Sequence, residues 1–129
     1  MNIEVVAVID DSAGLVSFTS PVGSAWGTWR GSESPEPGRY HVELEIEAEP
    51  YPWVPSASGP PRVEGTGTDG TRQIRITGVV ASMDDDSVMS LRVGSDIVLV
   101  EFPDGSAAPC PGRTVEFTVA GIGIYPYAV

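Results

Sequence analysis

Glycine and proline interrupt this chain so often that few windows could hold a helix of ordinary length. Fifteen glycines and twelve prolines fall among 129 residues, and both residue types punctuate regular structure. Between the breaks, Val, Ile, Thr and aromatic residues recur with period two, the pattern of half-buried strands. The chain therefore reads as all-β. Its length suits a single domain over 1–129 that can bury a core without disulfides or a structural metal.

The clearest strand runs over 39–49. Tyr40, Val42, Leu44, Ile46 and Ala48 fall on one face, and His41, Glu43, Glu45, Glu47 and Glu49 on the other. Residues 72–81 repeat the pattern with Ile74, Ile76 and Val80 inward and Arg75 and Thr77 outward, and Gly78 marks a bulge or bend. Residues 87–93 and 96–102 flank Gly94-Ser95 as a tight hairpin. A competing reading makes 83–93 one short helix, with Ser82 as its N-cap and acids at 84–86 suiting a helix start. Further strands are expected at 113–120 and 121–127, and weaker ones at 3–9, 15–19 and 25–30.

These curved short strands suit a small antiparallel barrel or a sandwich, the barrel being favoured. The resemblance is to the oligonucleotide/oligosaccharide-binding (OB) type of barrel, and it is architectural. Strands 72–127, with 39–49 before them, are expected to build it. Residues 1–31 are expected as an N-terminal β decoration, and 50–70, with five prolines and four glycines, as a long surface loop.

Seven arginines, no lysine and eighteen acids give a formal net charge of −11. Without lysine there is no Schiff-base or phosphate-loop lysine. Without a basic run, the counterion-releasing surface that supports nucleic-acid binding is missing. The same charge is repelled by an anionic membrane and drawn to a basic protein surface. The N-terminal segment lacks a basic region before its apolar run, no stretch is long and apolar enough to span a membrane, and Cys110 is the only cysteine. A reducing cytoplasm is the expected setting.

Catalytic patterns fare poorly. His41 is the only histidine, which excludes two-histidine metal sites, and no Gly-x-Ser-x-Gly elbow is present. Asp84 to Asp86 lack the alternation of a calcium loop, and Gly65 to Gly70 lack the lysine of a phosphate loop. Cys110 sits between prolines with no base nearby in sequence. We therefore expect a non-catalytic chain with no metal or cofactor.

The glutamate row of 39–49 advances about 6.8 Å per pair, too far for neighbours to chelate one cation but suited to facing an Arg/Lys-rich partner. Its bland reading is a solvated face balanced by Arg72, Arg75 or Arg92. The expected docking residues are Glu43, Glu45, Glu47, Trp53, Asp84 and Asp85. Their partner is a basic protein, engaged in the manner of an immunity or antagonist protein. Trp26, Trp29, Tyr51, Trp53, Tyr125 and Tyr127 lie in or beside Gly/Pro-rich segments. They either plug the ends of the fold or offer a stacking platform for a small molecule or sugar, the alternative function. An unpaired edge strand would also offer a route to homodimers.

Overall fold

The computed structural model describes residues 1–46, 54–55, 59–66, 73–84, 88–101 and 110–127. They form eleven strands: β1 Asn2–Asp10, β2 Leu15–Ser20, β3 Gly23–Trp29, β4 Gly38–Ile46, β5 Val54–Pro55, β6 Arg62–Thr66, β7 Gln73–Met83, β8 Val88–Val93, β9 Asp96–Glu101, β10 Thr114–Val119 and β11 Ile122–Pro126. No helix occurs among the described residues. The alternative helix at 83–93 gives way to β8, because Met89, Leu91 and Val93 are buried with period two against β7 and β9. Gly94, at φ +68°, makes the turn of the expected hairpin.

Five strands close on themselves in the order β1-β2-β3-β11-β4 and back to β1. The barrel expected from the strand pattern is thus present, but only β4 and β11 of the segments expected to build it take part. Its strands come from 2–46 and 122–126, so the segment expected as a decoration supplies three of the five. The intervening strands build a second layer that continues the sheet from β4 through β9, β8, β7 and β10 to β5, with β6 paired to β7.

β4 joins the two parts. One of its sides pairs with β11 from Val42 to Ile46. The other pairs with β1 from Gly38 to His41, then with β9 from Leu44 to Ile46. This is possible because β1 and β9 meet end to end beside Val42, where Met1 and Val42 exchange backbone hydrogen bonds of 2.8 Å in each direction.

Ile3, Val5, Val16, Phe18, Leu44 and Ile124 from the ring and Ile74, Leu91, Val98 and Phe117 from the second layer are buried in one continuous core. Val22, in the β2–β3 turn, fastens the layers. Its carbonyl accepts a 3.1 Å hydrogen bond from Val63 N–H, and its side chain lies against Gly94.

Two local readings change. Residues 62–66, expected within a surface loop, form β6, since pairing with β7 buries Val63 in an otherwise polar stretch. Thr77 points away from Ile76 as its phase requires, yet it is only 3% exposed. β6 and β10 flank it on both sides, and its hydroxyl donates to Glu116 Oε1 at 3.2 Å. The irregularity expected in β7 falls between Val80 and Ser82. Gly78 instead allows a close approach, since a Cβ there would sit 2.7 Å from the Arg92 carbonyl oxygen.

At the β1–β2 turn, the Asp10 carboxylate accepts from the Ser12 hydroxyl at 2.8 Å and Ala13 N–H at 3.2 Å. The Ser12 hydroxyl first, then Ala13 N–H, hold the Asp10 pKa below its usual value of 3.8. A depressed folded pKa means that this contribution is present above the ordinary carboxylate range and is lost as pH falls through the folded value. Ser12→Ala should therefore shift the Asp10 carboxyl titration, followed by NMR, upward. An unmoved titration would remove the hydroxyl as the main cause.

Candidate functional site

The alternation of β4 sends Val42, Leu44 and Ile46 into the core and leaves Glu43 and Glu45 half-buried on the outer face. Register decides what stands beside them. The antiparallel pairing with β11 puts Tyr125 opposite Glu43. The parallel pairing with β9 puts Leu99 beside Glu45 and, two residues earlier, Ile97 beside Glu43. Tyr125, Tyr127 and Ile97 are 37%, 54% and 42% exposed, so the two carboxylates are flanked by apolar surface open to solvent.

Two clefts run into this face. One, of about 440 Å³, is lined by Arg30, Glu45, Leu99, Glu101, Val88 and Tyr125. The other, of about 390 Å³, is lined by Met1, Glu43, Asp96, Ile97 and Tyr127. Four carboxylates thus rim a surface whose floor is sheet and whose flanks are tyrosine, leucine and isoleucine, and two cations share the rim: Arg30 and the N-terminal ammonium, which lies 3.3 Å from Asp96.

Elsewhere on the outer surface, acids and arginines meet. Glu4 lies 3.6 Å from Arg39, Glu64 3.9 Å from Arg62, and Glu116 3.8 Å from Arg75. Among the described residues, neither Glu43 nor Glu45 forms an ion pair. Arg75, one of the cations expected to balance the glutamate row, is held by Glu116 on the second layer. Arg92 projects from β8 opposite Ile97, two strands and roughly 9.5 Å from Glu43. Arg72 lies outside the described residues.

Of the expected docking residues, the structure brings Glu43 and Glu45 together. Glu47, Trp53 and Asp85 lie outside the described residues. Asp84 is exposed and serves the β7–β8 connection, where its N–H donates to the Val88 carbonyl at 3.0 Å and its Oδ1 accepts from Val88 N–H at 2.9 Å. It reaches the face through Val88, which lines the larger of these two clefts. Ile97, Leu99, Asp96 and Glu101 were not in the expected set, and only the register between β4 and β9 reveals them.

Trp26 and Trp29 serve the fold. The ring of Trp26 lies over Gly65, where a Cβ would sit 2.6 Å from it. Trp29 packs edge-on against Tyr40 at 4.8 Å and donates its indole N–H to the Glu33 carbonyl at 2.9 Å, while the Tyr40 hydroxyl donates to Glu36. Together they pin the connection between β3 and β4 over one end of the ring. Among the described residues, Tyr125 and Tyr127 are the large aromatics that present open surface.

His41 is exposed between Asn2 and Tyr127 and lines a third cleft of about 480 Å³ with Glu4, Thr19 and Arg39. Cys110 is free and exposed. Among the described residues no three His, Cys, Asp or Glu side chains converge as a metal site. No helix among them is long and apolar enough to cross a membrane. Comparison with protein-family models, with curated proteins and with solved structures finds no match to the chain.

Proposed function

We propose that the outer face of β4, with its flanks on β9 and β11, docks the basic surface of a partner protein and performs no chemistry itself. The observation that carries this reading is the pair Glu43 and Glu45, half-buried between Tyr125, Ile97 and Leu99 and in no ion pair among the described residues, whereas Glu4, Glu64 and Glu116 each face an arginine. A carboxylate flanked by apolar surface loses less on desolvation when an Arg or Lys of the partner replaces its water, and the aromatic rim supplies the buried area. A net charge of −11 adds long-range attraction for such a partner. An antagonist that covers a cationic protein would work in this way.

Capture from a native extract tests the reading when the chain and its Glu43→Arg/Glu45→Arg variant are used side by side at about 50 and about 500 mM salt, where screening separates steered contacts from apolar burial. A basic protein retained stoichiometrically by the natural chain at low salt and lost with the variant supports it. Equal retention by both chains, or no basic protein with either, counts against it.

A further inference from the structure

The outer face of β4 repeats one unit of a carboxylate and an aromatic ring. In the antiparallel register of β4 and β11, Tyr125 stands opposite Glu43, and Tyr127, whose N–H donates to the His41 carbonyl at 2.9 Å, stands opposite His41. Each tyrosine shares a cleft with the glutamate diagonal to it, Tyr125 with Glu45 and Tyr127 with Glu43. The two units are therefore the same arrangement displaced by two residues along both strands, about 6.8 Å. No register shift interrupts the pairing of β4 with β11 or with β9, so the repeat is regular.

The charges repeat as well. Among the described residues, the cleft at Glu45 also holds Glu101 and Arg30, and the cleft at Glu43 also holds Asp96 and the N-terminal ammonium. That ammonium is 1% exposed, lies 3.3 Å from Asp96 and donates to the Val42 carbonyl at 2.8 Å. Each cleft thus has two carboxylates against one cation, an excess that one further cation balances. Lysine and arginine differ in how well they fit such a place. An ammonium is a compact, strongly hydrated point charge, whereas a guanidinium is planar and weakly hydrated. Its edge meets a carboxylate through two parallel hydrogen bonds, and its face stacks on an aromatic ring. Tyr125 and Tyr127 are exposed and Glu43 and Glu45 half-buried, so a guanidinium finds both surfaces in each cleft.

Resting on the docking reading, we propose that this face takes two arginines from alternate positions of an extended segment of the partner, one in each cleft. Alternate residues of an extended chain project to the same side with a repeat of about 6.8 Å, which matches the two units, whereas adjacent residues point to opposite sides.

Three end-blocked peptides of equal charge, Arg-Thr-Arg, Lys-Thr-Lys and Arg-Arg-Thr, test this when titrated into the whole chain at about 50 mM salt and followed by amide NMR shifts. Arg-Thr-Arg should bind about fivefold or more tightly than either of the others, with its shifts centred on Glu43, Glu45, Tyr125 and Tyr127. Tyr125→Leu/Tyr127→Leu keeps apolar surface but removes the rings, and should bring the Arg-Thr-Arg and Lys-Thr-Lys affinities together. Glu43→Gln/Glu45→Gln should weaken both peptides. Circular dichroism checks that the variants are folded, and the comparison among peptides on the natural chain needs no variant. Equal binding of all three peptides on this face overturns the proposal while leaving the docking reading in place. So does a preference for Arg-Thr-Arg that survives the loss of both rings. Shifts centred elsewhere, or no saturable binding of Arg-Thr-Arg, overturn the proposal; shifts centred elsewhere also count against the docking reading itself.

Discussion

Gly23→Ala should lower stability by roughly 2–4 kcal/mol, the largest loss expected from adding a single methyl group to this chain. Gly23 opens β3 at φ +139°, a region that L side chains rarely adopt, and an added Cβ would lie 2.5 Å from the Val63 carbonyl oxygen. That oxygen cannot easily give way. It belongs to the backbone of β6, where Val63 is fully buried and paired with Ile76, and Val63 N–H bonds the carbonyl of neighbouring Val22. The methyl group therefore adds backbone strain and also pushes the barrel away from the second layer.

Two further glycines separate these effects. Gly112 has φ +89° but meets no described atom within 4 Å, so Gly112→Ala should cost only the strain, about 1 kcal/mol. Gly121 has neither positive φ nor a described neighbour within 4 Å. Its alanine variant should be neutral or slightly stabilising through the unfolded state. Urea unfolding of the three variants ranks them. Equal losses at 23 and 112 would mean that the junction between β3 and β6 is not tight.

Much of the local structure was legible because burial in a sheet writes itself into the sequence with period two. The faces of β4, the β8–β9 hairpin and the inward residues of β7 could be read from the alternation of apolar and polar residues alone. Closure of the barrel could not. It depends on β11 returning, more than seventy residues after β4, to pair antiparallel with β4 and parallel with β3, and nothing local records such a pairing. β6 was missed for a related reason. Val63 is its one fully buried aliphatic residue, too weak a signal among glycines and prolines.

The candidate site divides along the same line. Glu43 and Glu45 announce themselves as a charged row on an otherwise apolar strand. Ile97 and Leu99 look like ordinary strand residues until the parallel register with β4 sets them beside those glutamates. Tyr125 and Tyr127 were recognisable as aromatics at the chain's Gly/Pro breaks, but only the β11 pairing shows that they flank the glutamates and that Trp26 and Trp29 do not.

The docking account makes its sharpest claim about rate. Long-range attraction to a basic partner raises the association rate by one or more orders of magnitude at low salt, whereas short-range apolar contacts act mainly on dissociation. Reversing Glu43 and Glu45 changes the charge of the face by four units at its centre. Both side chains are partly solvent-accessible and make no ion pair among the described residues, so the fold should persist. Tyr125→Ala, by contrast, should leave the association rate nearly unchanged and speed dissociation, because it removes buried area without changing charge.

The most direct measurement is therefore the association rate of the captured basic partner with the natural chain and with Glu43→Arg/Glu45→Arg, followed from about 50 to about 500 mM salt. The account predicts that the natural chain associates roughly 10- to 100-fold faster than the variant at the low end, and that the two rates converge as salt rises. A variant that associates as fast as the natural chain at low salt would contradict it, and would move the contact away from the outer face of β4.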